Sequence, residues 1–464
     1  MTSCTFKSLG LNQSLLSTIE EMGFFSPTPI QQEVIPLILS GTDVVGQAQT
    51  GTGKTAAFGL PTIQMMTKRG AAQILVITPT RELASQVAEE LYQFGKLDQL
   101  KVCVICGGKS FKHQIDSFNH GADILVATPG RLLDLLDSKR LTNFQPKTVI
   151  LDEADEMLNM GFYEDIQEIF KYLPTERQTL LFSATMPKQI QILIKKILEK
   201  PIFVKTHSDK TTDQNIAQAY YLIEDYERDH AIIRLFEERK FIKTIIFCKT
   251  KKDVDRLSEI LSKKDFRAKG LHGDMEQNQR QRVTNAFRAG EMDILVATDL
   301  AARGLNIVDV THVVNYHIPF DVENYVHRIG RTGRAGQKGN AITFVTPKEF
   351  YRLMRYQKHI GSTLVQKFIP NKQEIRKAQI ADLINKIHLQ GFDENIRENL
   401  LKDLQQKMDL EILVCKMLAM VLKEKLIEGP DKIGISNDQK KHDRKKKKKN
   451  SVYPKKHKKY IKSR

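Results

Sequence analysis

The chain has 464 residues, of which 41% are apolar, and a formal net charge of +17. This length is too great for one hydrophobic core, so we predict a folded protein of two or more domains. The sequence has no run of about 18 apolar residues for a membrane span and no secretory pattern at its start, so we expect a cytoplasmic protein with no membrane partner. Its five cysteines, an odd number, favour a reducing compartment, and Cys103 and Cys106 are interpreted as buried strand residues rather than zinc ligands.

An internal repeat indicates two similar lobes. The segment DILVAT occurs at 123–128 and again at 293–298, and the same offset of 170 residues aligns the apolar runs LVITPT and IIFCKT. Helical patterns lie between such runs, and strands that alternate with helices form a parallel sheet covered on both faces. We therefore predict two doubly wound α/β lobes and a polar linker between them, at residues 1–206, 217–365 and 207–216.

The segment AQTGTGKT (48–55) follows a short apolar run and precedes a helical pattern. Its ending and spacing match a phosphate-binding P-loop, except that alanine replaces the first glycine. Gly51 and Gly53 would let backbone N–H groups approach phosphate oxygens, Lys54 would reach the β and γ phosphates, and the Thr55 hydroxyl would bind Mg²⁺. The alternative is a glycine-rich turn, which the flanking strand, helix and Lys-Thr pair disfavour.

A P-loop needs a carboxylate for its metal at the end of a neighbouring strand, and TVILDEAD (148–155) supplies one. Asp152 is the predicted Mg²⁺ ligand, and Glu153 is placed to act as general base on the attacking water. Acidic residues here would also favour the start of a helix, an interpretation that we retain for Glu156.

The second lobe has no P-loop, because residues 218–225 read QAYYLIED where the repeat would place one. We therefore expect one nucleotide site. This lobe does carry Arg328, Arg331 and Arg334, three residues apart in a glycine-rich setting. Arginines that face a γ-phosphate across a cleft stabilise the transferring phosphoryl group, so a nucleotide would join the lobes. A solvated basic loop is the alternative.

Short segments in a fixed order carry a resemblance that covers roughly residues 5–350. They are Phe6, GFFSPTPIQ (23–31), AQTGTGKT (48–55), PTRELA (79–84), GG (107–108), TPGR (128–131), DEAD (152–155), SAT (183–185), IIFCKT (245–250), ATDLAARGLN (297–306) and HRIGRTGR (327–334). The chain resembles a DEAD-box ATP-dependent RNA helicase. The resemblance implies two RecA-like lobes and RNA-stimulated ATP hydrolysis, coupled to local, non-processive unwinding of short RNA duplexes or remodelling of RNA–protein complexes.

The resemblance also implies roles for individual residues around the nucleotide. Gln31 would read the adenine edge, Phe25 would pack on the base, and Arg331 and Arg334 are similar to arginine fingers. The implied catalytic set is Lys54, Asp152, Glu153, Arg331 and Arg334. ATP would contact Phe6, Phe25, Gln31, Ala48, Gln49, Thr50, Gly51, Thr52, Gly53, Lys54 and Thr55, with Mg²⁺ on Thr55 and Asp152. One departure is Asn306, which stands where the family usually has an aspartate near the ribose.

Two further groups of residues are implied by the same resemblance. Ser183 and Thr185 would couple hydrolysis to lobe movement, and Asp155 would contact His327 across the lobes. Single-stranded RNA would follow a track of hydroxyls, amides and guanidinium groups that hold phosphates without reading bases. The implied RNA-binding residues are Arg81, Gly108, Thr128, Arg131, Thr250, Gln277, Arg280 and Thr298.

The remaining residues form a helical region and a basic tail. Residues 366–432 show helical periodicity, and 372–427 resembles a bacterial dimerisation segment; a monomeric helical lid is the alternative. Residues 440–464 contain 14 Lys and Arg and one Asp, a net +13 that leaves +4 for the rest of the chain. We predict a disordered RNA-binding tail over 433–464, with a solubilising tail or a nuclear address as alternatives.

Three functions fit these observations to different degrees. An RNA helicase is the leading hypothesis, with ribosomal or RNA-decay proteins as candidate partners. An ATP-dependent RNA clamp or annealing scaffold is the alternative, but a pure clamp would not require Glu153 and the two arginines. A DNA translocase is disfavoured by the full set of motifs.

Overall fold

The structure is a computed structural model of the chain. It describes residues 4–48, 51–108, 110–141, 144–206, 215–238, 241–302, 310–333, 337–391, 402–423 and 429–434. Two parallel seven-stranded sheets, each with helices packed on it, follow one another along the chain. This confirms the predicted α/β class with two doubly wound lobes.

The first sheet has the strand order β3-β4-β2-β5-β6-β1-β7. Its strands are β1 (Val44–Gln47), β2 (Ile74–Ile77), β3 (Val102–Ile105), β4 (Ile124–Ala127), β5 (Thr148–Leu151), β6 (Gln178–Ser183) and β7 (Ile202–Lys205). Its helices are α1 (Gln13–Glu21), α2 (Pro29–Leu39), α3 (Lys54–Gln64), α4 (Arg81–Phe94), α5 (Phe111–Asn119), α6 (Pro129–Asp137), α7 (Ala154–Asn159), α8 (Tyr163–Tyr172) and α9 (Lys188–Ile197), preceded by a 3₁₀ turn at Phe6–Leu9.

The second sheet has the order β10-β11-β9-β12-β13-β8-β14. Its strands are β8 (Ile216–Leu222), β9 (Thr244–Cys248), β10 (Ala268–Leu271), β11 (Ile294–Thr298), β12 (His312–Asn315), β13 (Gly339–Val345) and β14 (Val365–Lys367). Its helices are α10 (Arg228–Glu238), α11 (Lys251–Lys263), α12 (Gln277–Ala289), α13 (Asp299–Ala302), α14 (Val322–Ile329) and α15 (Phe350–Ile360), with a 3₁₀ turn at Asp225–Glu227.

The two lobes repeat one topology, since each strand of the second sheet has the place of the strand seven numbers earlier in the first. Register agrees as well: Ile124 on β4 pairs with Ile74 on β2, and Ile294 on β11 pairs with Thr244 on β9. The sequence repeat at an offset of 170 residues is therefore a structural repeat.

The central strands of each sheet are buried on both faces, which explains why they are largely apolar rather than alternating. On β2, Ile74 and Val76 pack into one apolar cluster of the first lobe, while Leu75 and Ile77 pack into the cluster on the opposite face. Parallel strands all end at one edge of the sheet, so the polar residues that follow them collect at that edge.

A helical extension follows the second lobe, with α16 (Lys372–Leu389), α17 (Lys402–Lys407) and α18 (Leu410–Lys423). Its two ends meet on α10, where the buried Arg234 guanidinium donates to the carbonyls of Pro370, Pro430 and Asp431. The side chain of Ile433, which the sequence assigned to the tail, lies in the core of the second lobe.

Some predicted segments lie outside the described residues. These are most of the linker, at 207–214, and the basic residues 435–464. Within the described part of the chain, no helix has both the length and the apolar composition needed to cross a bilayer. Cys103 and Cys106 are buried as predicted, and the described residues contain no group of three or more His, Cys, Asp and Glu side chains that would hold a metal.

Candidate active site and nucleic-acid groove

The P-loop and the DEAD segment meet at the carboxyl edge of the first sheet. β1 leads into the P-loop and β5 leads into Asp152, with β6 between the two strands. The backbone N–H of Ala48 donates to the carbonyl of Ser183 on β6 (3.1 Å), which ties the start of the P-loop to the sheet. As a result, Lys54 Nζ lies 4.0 Å from Asp152 Oδ1, and both side chains are buried.

The buried charges of Lys54 and Asp152 at this edge of the sheet are only partly satisfied by other groups of the described chain. Among the described residues, Lys54 Nζ has no hydrogen-bond acceptor although it is buried. Burial raises the pKa of Asp152 to about 6; the Lys54 ammonium opposes this shift and the Glu153 charge adds to it. A buried ammonium without an acceptor fits a phosphate, and the Asp152 carboxylate is the kind of oxygen ligand that Mg²⁺ prefers.

The backbone of the P-loop has the conformation that its glycines allow. Gly51 and Gly53 have φ of 85° and 83°, in the left-handed region, and Gly53 is the N-cap of α3. The Thr28 hydroxyl donates to the carbonyl of Thr52 (2.9 Å). The loop therefore ends at a helix N-terminus, where N–H groups and the helix dipole favour an anion. Gln49 and Thr50 lie outside the described residues.

Three side chains predicted to contact the nucleotide have different environments. Gln31 uses both of its amide groups within the chain: Nε2 donates to the Gly53 carbonyl (3.0 Å), and Oε1 accepts from the Thr28 N–H (2.9 Å). Gln31 Nε2 keeps a second N–H and Oε1 a second lone pair, so both atoms can still bond an adenine edge. Phe25 is 83% exposed, whereas Phe6 packs in the apolar core of the first lobe. The predicted nucleotide contact of Phe6 stays a prediction.

Glu153 adopts a strained backbone conformation. Its φ and ψ are both 51°, a left-handed conformation that costs a non-glycine residue about 1 kcal/mol or more. The Glu153 N–H donates to Asp152 Oδ1 (3.0 Å), and the side chain is buried. This conformation separates the side chains of adjacent acidic residues, which allows different roles for Asp152 and Glu153.

Three of the residues predicted to couple hydrolysis to lobe movement form one hydrogen-bonded group in the first lobe. Asp155 Oδ2 accepts from the N–H and the hydroxyl of Thr185, both at 2.8 Å, and the Ser183 hydroxyl donates to the Thr185 carbonyl (2.7 Å). Ser183 and Thr185 are thereby linked to the DEAD segment, while their role in coupling stays a prediction.

The cross-lobe contact of His327 corrects one pairing. His327 Nδ1 lies 2.8 Å from Glu156 Oε1, not on Asp155, which is engaged by Thr185. Burial lowers the pKa of His327, but the hydrogen bond and charge of Glu156, with the charges of Asp155 and Glu153, outweigh burial and raise it above its usual value. Glu156, which the sequence favours as a helix-start residue, is therefore the partner of His327.

The arginines of the second lobe divide into different roles. Arg331 lines a small cavity between the lobes together with Lys54, Glu153, Asp155, Glu156, Ala184 and His327. Arg328 is buried and bonds Asp299 (2.5 and 2.8 Å) and the His317 carbonyl (2.6 Å), so it stabilises the second lobe. Arg334 lies outside the described residues.

A second cavity between the lobes, a groove of about 600 Å³, collects most of the predicted RNA-binding residues. The predicted residues among those that line it are Arg81, Thr128, Arg131, Gln277 and Arg280. The first three come from positions just after β2 and β4, and the last two from the start of α12. The groove therefore joins cationic and polar side chains of both lobes, as a phosphate track requires.

The other predicted RNA-binding residues lie outside this lining. Gly108 (φ 78°) lies against Arg81, and a Cβ atom there would lie 2.0 Å from Arg81 Nη1, so a side chain at this position would displace the Arg81 guanidinium. Thr250 caps α11 by accepting from the Asp253 N–H (3.2 Å), and Thr298 accepts from the Ala301 N–H (3.4 Å).

Glu82 is a residue of this groove that the sequence did not single out. Its Oε1 accepts from Arg280 Nη2 (3.0 Å) and Nε (3.2 Å) and from Gln277 Nε2 (3.3 Å), which connects α4 to α12 across the lobes. The feature of the sequence that could have pointed to Glu82 is its position beside Arg81 in the PTRELA segment. Only the docking of the lobes identifies its partners.

Comparisons with known proteins agree with this geometry. Residues 28–193 match the DEAD/DEAH box helicase family, and residues 227–336 match the Helicase conserved C-terminal domain. The chain is 46% identical over 416 residues to the DEAD-box ATP-dependent RNA helicase RhpA of Helicobacter pylori, across 90% of this chain and 83% of the relative. It is 43% identical over 423 residues to the DEAD-box ATP-dependent RNA helicase CshA of Geobacillus kaustophilus, across 90% and 91%.

Solved structures give the same result. S. cerevisiae Dbp5 bound to RNA and ADP BeF3 is similar with a TM-score of 0.72 and 32% identity, across 81% of this chain and 99% of that chain. Mss116p bound to ssRNA and AMP-PNP is similar with a TM-score of 0.72 and 29% identity, across 83% and 85%. From its motifs, its two lobes and these matches, the chain belongs to the DEAD-box ATP-dependent RNA helicases.

Proposed function

We propose that this helicase uses the cleft between its lobes to separate short RNA duplexes locally and non-processively. The observation that carries the proposal is the buried Lys54 ammonium beside Asp152, in a cleft that Arg331 and His327 close from the second lobe. A site completed by both lobes links nucleotide chemistry to lobe closure. One round of closure would deform a few base pairs, and reopening would release the strand.

Each residue of the cleft has a distinct role in this proposal. Thr55 and Asp152 would hold Mg²⁺, which when bound would neutralise charge on the phosphates of ATP. Lys54 supplies a fixed positive charge to the same phosphates, because its ammonium lacks another acceptor among the described residues. Glu153 orients water and accepts its proton, and Arg331 stabilises negative charge from the opposite lobe.

The groove supplies the RNA-binding half of the proposal. Its lining presents guanidinium, hydroxyl and amide groups from both lobes, which suit phosphates and ribose rather than base edges. Binding would therefore be largely independent of sequence. Because closure brings the two walls together, RNA that spans them favours the closed arrangement.

Single-turnover separation of a short RNA duplex tests this function. We expect ATP to support strand separation, and Glu153→Gln to lower ATP turnover by about 10²-fold or more while ATP-dependent RNA binding persists. Glu164→Gln, an acidic residue on α8, is the matched control. Hydrolysis at the unaltered rate in Glu153→Gln would remove the general-base role, and RNA binding without strand separation under any nucleotide condition would favour the clamp or scaffold.

We also propose that the helical extension forms a homodimer. Ile380, Ile384 and Ile387 recur at helical spacing on α16 and are 38%, 49% and 57% exposed, and α18 exposes several more apolar side chains. Such an apolar surface is typical of an interface between protein chains. Light scattering should give twice the monomer mass for the intact chain and the monomer mass for Ile384→Glu; a monomeric intact chain would favour the helical lid.

We propose a cytoplasmic role on structured RNA, with ribosomal or RNA-decay proteins as partners. The support is the net charge of +13 over residues 440–464, which suits extended contacts to phosphate backbones. Cell fractionation, with sequencing of RNA crosslinked to the protein, tests both parts. Recovery in a membrane fraction, or of no ribosomal or messenger RNA, would contradict them.

A further inference from the structure

An aromatic ring packs against the guanidinium of one of the groove arginines. Phe111 is the first residue of α5, and the Arg131 guanidinium carbon lies 3.9 Å from the centroid of its ring. Arg131 is mostly buried and lines the groove, whereas Phe111 is 39% exposed and does not line it. The ring is therefore a neighbour of the guanidinium that is not itself part of the groove lining.

The position of Arg131 makes this contact consequential. Arg131 lies in the first turn of α6, where the positive end of the helix dipole disfavours a cation. Asp134 Oδ2 lies 3.8 Å from Arg131 Nε and its side chain is 62% exposed, so this ion pair contributes little. The face of an aromatic ring attracts a guanidinium and offsets the unfavourable position.

Phe111 is itself held in a fixed place. On the same helix, the buried Gln114 side chain bonds both backbone groups of Cys106 at 3.0 Å, accepting from its N–H and donating to its carbonyl. These two bonds fix α5 to the end of β3. Gly107 and Gly108, which lie against Arg81, follow directly after Cys106. The ring is thus anchored to the sheet rather than carried by an unattached loop.

We infer that Phe111 is a positioning residue for RNA, which holds the Arg131 guanidinium in the orientation that contacts the RNA backbone. This inference rests on the proposed function of the groove. The Arg81 guanidinium lies against Gly107 and Gly108 and lines the same groove, so the first lobe presents two guanidinium groups to it. Holding the Arg131 guanidinium in one orientation beforehand reduces the conformational entropy that its side chain loses when RNA binds.

RNA-stimulated ATPase activity of the full-length protein tests the inference. Phe111→Leu keeps an apolar side chain but removes the ring face, and should raise the RNA concentration for half-maximal stimulation about two- to fivefold. The maximal rate at saturating RNA and the melting temperature should not change. Phe111→Tyr keeps the ring face and should restore the RNA dependence of the unaltered protein.

A double-mutant cycle with Arg131→Ala shows whether Phe111 acts through the arginine. If it does, adding Phe111→Leu to Arg131→Ala should cause no further loss. Additive losses, or a tyrosine variant as weak as the leucine variant, would overturn the inference. Failure of the groove assignment looks different: Arg81→Ala and Arg131→Ala would then both leave the RNA dependence unchanged.

Discussion

The contact between His327 and Glu156 predicts that lobe closure depends on pH. The two side chains meet at 2.8 Å across the lobes, and both are largely buried. Because the pKa of His327 is raised in the closed arrangement, its positive charge favours closure fully below its usual pKa of 6.5. That contribution is lost as pH rises through the raised value.

The size of the effect follows from the chemistry of the bond. Hydrogen bonds to charged groups contribute about 1.5–3 kcal/mol, and neutral ones about 0.5–1.5 kcal/mol. Neutral His327 can still donate to the Glu156 carboxylate, so deprotonation removes the charge of the donor but not the hydrogen bond. We therefore expect it to cost only part of the interaction, on the order of 1 kcal/mol. This corresponds to about a fivefold fall in the ratio of closed to open molecules.

Fluorescence transfer between dyes on the two lobes measures this ratio in the presence of RNA and a non-hydrolysable ATP analogue. The measurements belong at pH 7–9, because the pKa of Asp152 is about 6 and its own titration would interfere at lower pH. Across that range, closure of the unaltered protein should weaken as pH rises. His327→Gln should show no such dependence and should match the unaltered protein at high pH.

Two results would refute this reasoning. One is a pH dependence that persists unchanged in His327→Gln, which would assign the titration to another group in the cleft. The other is a loss of pH dependence in His359→Gln, a matched control at an exposed histidine of the second lobe. Glu156→Gln should also weaken the pH dependence, because Glu156 raises the pKa of His327 more than Asp155 and Glu153 do, whereas the Asp155 pairing predicted from sequence would leave it unchanged.

Three further predictions concern other parts of the molecule. Glu82→Gln should raise the RNA concentration for half-maximal ATPase stimulation about tenfold, since it removes the charge that Arg280 bonds across the lobes; Glu89→Gln, exposed on the same helix, should not. Arg234→Met should lower the free energy of unfolding by about 2–3 kcal/mol in urea, because the carbonyls that it bonds lose their donor; an unchanged midpoint would contradict this. Truncation after Gly434 should weaken the dependence of RNA affinity on salt concentration. The slope of log affinity against log salt should fall by about 0.7 for each phosphate that the tail neutralises in the intact protein. An identical slope would exclude the tail from RNA binding.

The sequence supported predictions at two levels. Apolar runs and their repetition at one offset predicted two lobes of the same topology, because a strand buried on both faces must be apolar along its length. The motifs predicted that Lys54 and Asp152 would meet, because residues that follow parallel strands collect at one sheet edge. Both arrangements depend on local pattern and on chain order, which a sequence contains.

Other features depended on packing that no local pattern specifies. The sequence predicted a nucleotide contact for Phe6 but not its burial in the core of the first lobe, because burial depends on what surrounds a side chain. Arg328 and Arg331 are three residues apart, yet the first is bonded within its own lobe and the second faces the cleft. Their spacing alone gave no means of telling them apart.

The sequence by itself therefore determined the two α/β lobes, the P-loop and DEAD segments, and the family. The tertiary structure decided which acidic residue serves which partner. Adjacent residues on a helix point about 100° apart, so Asp155 and Glu156 face different neighbours although they are consecutive in sequence. Asp155 meets Thr185 in its own lobe, and Glu156 meets His327 only because the second lobe docks at that angle.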